Sequence, residues 1–157
     1  MNSITAQIAR LPLMISALVL VSSAALVAHP LLYTNFTHSM PTGVYLACNR
    51  AARVGDIVAF PSALVPHYRF HLPEYLLKRF AYGQGTRVRI DAAGVQVAGT
   101  VVAPRIVALG LAFQGPIPAG ESLVLGENAR SFDSRYFGFV PQKQLRPVTP
   151  LVIWSTR

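Results

Sequence analysis

Residues 11–28, LPLMISALVLVSSAALVA, carry no charged side chain. As a helix, a run of this length covers about 27 Å, close to the roughly 30 Å of a bilayer's hydrocarbon core. His29-Pro30 closes the run, because proline has no N–H with which to continue a helical ladder. Arg10 and the α-amino group precede it, and no further Lys or Arg occurs until Arg50. The excess of positive charge on the N-terminal side places that end in the cytoplasm and the rest of the chain across the membrane. A cleaved signal peptide has the same charged start, apolar middle and small residues, here Ser22-Ser23-Ala24-Ala25. The length of the run and its extension by Leu31-Leu32-Tyr33 favour a retained anchor. The expected organisation is an anchor at 1–30 and one exported domain at 31–157.

Only 13% of the 157 residues are charged and 52% are hydrophobic, which excludes disorder for most of the chain. The formal net charge is +8, yet the cations are scattered. The tightest group is Lys78-Arg79 with Arg87 and Arg89. Nucleic-acid binding needs clustered cations, so no nucleic-acid partner is expected. A domain facing anionic headgroups accounts for the charge more simply. The single cysteine, Cys48, excludes an intramolecular disulfide framework and a multi-cysteine metal site.

Strand signals dominate from Val44 onward. Asp56–Phe60, Gly94–Gly99 and Ser122–Leu125 are short, apolar or alternating, and bounded by glycine or proline, and Arg87–Ile90 alternates polar and apolar residues. Thr100-Val101-Val102 is expected to pair back across Ala98-Gly99 as a hairpin. Leu145–Trp154 suits a last edge strand, because Pro147 and Pro150 interrupt it. Pro73–Phe80 reads as a short helix or as a strand entering the core. The expected fold class is mostly β.

There is no HExxH, CxxC, GxxxxGK[ST], GxSxG or SxxK pattern. His67 and His71 stand four apart but are bracketed by Pro66 and Pro73 with no carboxylates near, so a polar loop is expected there and no metal site. Two polar segments remain: Asn35–Tyr45, NFTHSMPTGVY, and Gly126–Gly138, GENARSFDSRYFG. Asp133 and Arg135, two apart, can pair across the same side of an extended chain. Lysine is scarce, only Lys78 and Lys143 against twelve arginines, so a catalytic lysine has few candidates.

Together, Ser39-Met40-Pro41, Gly55-Asp56-x-Val58-x-Phe60, Lys78-Arg79 and Ser131-x-Asp133-Ser134-Arg135-x-x-Gly138 resemble the signal peptidase I superfamily of membrane-anchored Ser/Lys peptidases. Within it the spelling S-x-P-x-G-x-Y over Ser39–Tyr45 is most similar to the TraF-type conjugative transfer peptidases, which mature pilin precursors. The resemblance implies a fold of two antiparallel β-sheets behind one transmembrane helix, single-pass in a bacterial inner membrane with the catalytic domain in the periplasm. It implies Ser39 as nucleophile and Lys78 as its base. The Ser39 N–H and the Thr37 hydroxyl become the oxyanion hole, and Ser131 orients the lysine. Asp133 and Arg135 give structural support. No cofactor or metal is implied. Implied partners are an extended pilin or preprotein, the lipid bilayer and a conjugative transfer apparatus. Phe36, Met40, Tyr68, Phe70 and Leu72 are the candidates for a surface that dips toward the membrane. The chain departs from the pattern at Phe80–Thr86, which replaces a P-G-D turn, and at Glu127, where an aspartate is usual. Two further readings compete: a general signal peptidase, and a non-catalytic scaffold that does not need Ser39, Lys78 and Ser131 together. Residue chemistry alone leaves Lys78 open as a surface cation beside Arg79.

Overall fold

The computed structural model describes residues 31–65, 72–107 and 110–155. The anchor expected at 1–30 and the His67–His71 loop with Tyr68 and Phe70 lie outside the described residues. No helix among the described residues is long and apolar enough to cross a membrane. The strands all belong to the compact unit Leu32–Arg157.

Alternating burial builds the strands. β1 (Leu32–Asn35) buries every second residue, Tyr33 and Asn35, and pairs with β2 (Thr42–Ala47) as a hairpin in the register Asn35↔Gly43. β3 (Ile57–Pro61) and β4 (Tyr75–Gly83) pair next, with Val58 opposite Lys78. Pro73–Phe80 thus resolves as strand and not helix. Its near-continuous apolar run is what a strand buried on both faces requires, and β4 lies inside a sheet. β5 (Arg87–Asp91), β6 (Gly94–Val97), β7 (Thr100–Pro104) and β8 (Phe113–Pro116) form a four-stranded antiparallel sheet in the order β7-β6-β5-β8. The β6–β7 hairpin turns at Ala98-Gly99 as the sequence indicates. β9 (Glu121–Leu125), β10 (Val140–Pro141) and β11 (Arg146–Ser155) complete a seven-stranded sheet, β1-β2-β11-β3-β4-β9-β10.

The last strand corrects an expectation. β11 is no edge: it runs between β2 and β3. Residues 146–148 pair with β3, residues 148–155 with β2, and only Val148 pairs on both sides. Pro147 and Pro150 flank that position, so neither has to serve two ladders. The Cys48 N–H donates to the Pro147 carbonyl at 2.8 Å, and a register shift follows Pro150.

Two apolar clusters take their residues alternately from the central strands. Val58, Phe60, Leu76 and Phe80 join Val124 and Val140. Ala59 and Leu77 join Tyr33, Met40 and Tyr45. Period-two alternation therefore puts Lys78 on the same face as Leu76 and Phe80. A third cluster, with Val88, Ile90 and Val95, fills the small sheet. Met40 is 2% exposed and belongs to the core; it is not part of an outer apolar surface. Its place in the tight loop between β1 and β2 turns it inward.

Candidate active site

The site begins with the loop between β1 and β2. Two close contacts shape its exit. A Cβ on Gly43 would stand 2.2 Å from the Val152 carbonyl oxygen, so only glycine lets β11 approach here. The fully buried Tyr45 donates its hydroxyl to the Pro41 carbonyl. The P-x-G-x-Y spacing is thus the chemistry of one tight hairpin. Within the loop, Thr37 Oγ1 and Ser39 Oγ are 2.9 Å apart. The Ser39 carbonyl accepts the Glu127 N–H at 2.7 Å.

Lys78 arrives from β4, between Leu76 and Phe80, and is only 3% exposed. Its Nζ donates to Ser131 Oγ at 3.0 Å. The lysine's pKa falls from 10.5 to about 8. Desolvation by burial is the main cause. The Asp133 charge works against the fall, and the Arg135 charge adds to it. Lys143, by contrast, is exposed in the short turn Gln142–Gln144.

Ser131 is itself buried, and its place depends on Gly126: a Cβ there would come within 2.0 Å of Ser131 Oγ. Behind it, Asp133 and Arg135 are 0% and 1% exposed and pair through both carboxylate oxygens. They do so from the start of a short helix, α1 (Ser134–Phe137), and not from an extended chain: Asp133 caps it by accepting the Arg135 N–H. Asp133 also accepts the Gly126 N–H at 2.7 Å. Arg135 donates to the carbonyls of Asn128, Ala129 and Pro104. One buried ion pair thus pins the whole segment 126–133 against the end of β7, with every donor and acceptor used.

Thr37, Ser39, Lys78 and Ser131 line one cavity of about 410 Å³, walled on its apolar side by Leu72, Leu76 and Phe132. Among the described residues no hydrogen bond joins Ser39 to Lys78, and no cluster of His, Cys, Asp and Glu is placed to hold a metal ion. A buried amine with a depressed pKa and a hydroxyl in a shared cavity can perform proton abstraction followed by nucleophilic attack.

A family model described as signal peptidase, peptidase S26, matches residues 5–154. The chain belongs to this family. Signal peptidases of this family are serine peptidases with a characteristic Ser/Lys dyad. A curated relative from Synechocystis, named as a probable signal peptidase I-2, is 35% identical over 96 residues. That match takes in 58% of this chain and 43% of the relative, so the chain spans less than half of the relative's length. A crystal structure of a signal peptidase I from Enterococcus faecalis is 24% identical with a TM-score of 0.42, covering 64% of this chain and 97% of that one.

In this chain, sequence reading passed over three residues that the geometry brings forward. Asn35 is buried beneath the Ser39 loop. Gly126 makes room for Ser131. Ser134 accepts the Val124 N–H at 2.8 Å, tying the end of β9 to α1. A glycine at the head of the polar segment Gly126–Gly138 is a visible signal. Asn35 and Ser134 resemble any polar residue until their partners are known.

Proposed function

We propose that the chain is a Ser/Lys endopeptidase of the signal peptidase I type that cuts exported preproteins at the membrane surface. The observation that carries this is Lys78, a deeply buried amine with its pKa near 8, facing the cavity it shares with Ser39. Ser39 Oγ attacks the scissile carbonyl while neutral Lys78 takes its proton. The Ser39 N–H and the Thr37 hydroxyl hold the oxyanion. The Lys78 ammonium then protonates the leaving amine, and an acyl-enzyme on Ser39 remains for a second nucleophile. Ser131 fixes the amine, and Asp133 with Arg135 supports the loop that carries Ser131. The substrate is an extended segment with small residues before the cut, docked as an added strand.

Residues 1–30 serve as a single-pass anchor in the bacterial inner membrane, N-terminus cytoplasmic, with the domain 31–157 in the periplasm. The exposed rings of Phe36 and Trp154, 5.9 Å apart, support contact of that domain with the bilayer. The spelling Ser39–Tyr45 favours a second reading for the substrate: a conjugative pilin precursor, with the transfer apparatus as partner and with the acyl-enzyme resolved by the pilin's own amino terminus.

The test is intact-mass analysis of a preprotein panel and a pilin precursor co-expressed with wild type, Ser39→Ala or Lys78→Ala. Processing by wild type alone supports the dyad, and which substrate is cut separates the two readings. A pilin product lighter by one water than the linear peptide identifies cyclisation. Full processing by either variant refutes the mechanism.

A further inference from the structure

Asn35 is 5% exposed and its amide is the hub of the loop that carries Ser39. Its Nδ2 lies 2.8 Å from the Met40 carbonyl, 2.9 Å from that of Thr37 and 3.1 Å from that of Pro41. Its Oδ1 accepts the Thr37 N–H at 3.2 Å and the Thr37 hydroxyl at 2.8 Å. Only this orientation of the amide works, because carbonyls accept and N–H groups donate. The orientation has a consequence for the serine. Thr37 has one hydroxyl proton, and Asn35 Oδ1 takes it. Across the 2.9 Å contact to Ser39, Thr37 Oγ1 is therefore the acceptor and Ser39 the donor. A single buried side chain thus fixes both the path of the backbone around Ser39 and the direction of the Ser39 hydroxyl before substrate arrives.

We propose that Asn35 is a positioning residue for Ser39, acting through the Thr37 hydroxyl and through the carbonyls on either side of the serine. It touches no substrate. It presets the rotamer of the nucleophile and holds the Thr37 hydroxyl where a substrate carbonyl oxygen can compete for its proton. When the substrate oxygen accepts the Thr37 hydrogen bond in place of Asn35, Thr37 turns toward the oxyanion, and Ser39 rotates its own hydroxyl hydrogen from Thr37 to Lys78. This inference rests on the proposed roles of Ser39 and Thr37.

The test is steady-state cleavage of a peptide substrate by the full chain in detergent. Asn35→Ala is expected to lower kcat about a hundredfold, the usual cost of a misplaced reacting group, with KM changed less than threefold. The acid limb of the pH profile should stay near that of wild type, since the surroundings of Lys78 are untouched. Asn35→Ala combined with Thr37→Val should lose at least tenfold less than the product of the two single losses, because both act on one oxygen. A folded Asn35→Ala enzyme with kcat within twofold of wild type, or losses that simply multiply, overturns the proposal. If Asn35→Ala does not fold, Asn35→Asp takes its place. The introduced carboxyl keeps an acceptor for Thr37, but it is ionised well below the working range of the enzyme and cannot replace the Nδ2 donor, so kcat should fall as in Asn35→Ala; a folded Asn35→Asp enzyme at wild-type kcat overturns the proposal. Ser39→Ala, run alongside, keeps the two readings apart. Activity in Ser39→Ala refutes the serine mechanism itself, whereas an inert Ser39→Ala beside an unimpaired Asn35→Ala refutes the positioning role alone.

Discussion

Lys78 shows how one residue can be legible in kind and illegible in state. Its scarcity and the residues around it single it out in the sequence, but a lysine next to an arginine is as readily a solvated cation. Burial to 3% exposure between β3 and β9 decides between the two. As the proposed base, Lys78 acts when neutral, so kcat/KM is expected to climb with unit slope up to about pH 8 and then level off, with the limb missing from any residual activity of Lys78→Met. The same burial costs stability. The folded-state pKa is about 8 against 10.5 for a free lysine, so below pH 8 the folded protein must hold a disfavoured ammonium. That penalty shrinks as the pH rises from about 8 to 10.5 and is absent above it. Lys78→Met should therefore be inactive yet more stable at pH 7 by on the order of 3 kcal/mol, a gain that fades toward pH 10.5, as denaturant titrations at the two pH values will read.

The segment from Gly126 to Phe137 works as one piece because Asp133 and Arg135 satisfy its backbone from inside. Removing one member of a buried pair strands the other. Arg135→Ala is expected to cost about 3–5 kcal/mol, visible as a lower midpoint in chemical denaturation. Gly126→Ala tests the piece at its other end. The added methyl must displace Ser131 from Lys78, so kcat should fall about a hundredfold while the unfolding midpoint moves much less than in Arg135→Ala. The pairing of Asp133 with Arg135 was open to sequence reading from their spacing. The helical start that realises it was not, because α1 spans only Ser134–Phe137 and has no apolar periodicity to betray it. The same limit applies to β4, whose apolar run fits a buried strand and a short helix equally until its neighbours are known.

Across the whole molecule, the apolar run at 11–28 and the domain that follows make separable predictions. The full chain should stay with the membrane pellet after alkaline carbonate extraction, and deletion of residues 1–28 should release it; a soluble full chain would remove the anchor from the proposal. The sequence by itself determined the β class, the chemistry available and the segments that carry it, because alternation, turn residues and motif spacing are local properties of the chain. Only the tertiary structure decided that β11 is interior, that Met40 turns inward and that the buried Asn35 hydrogen-bonds around the Ser39 loop. It also brought Ser39, Lys78 and Ser131, from three distant segments, to one cavity. Those outcomes depend on which strands become neighbours and which side chains lose water together. Such non-local pairings have free energies that no window of sequence contains.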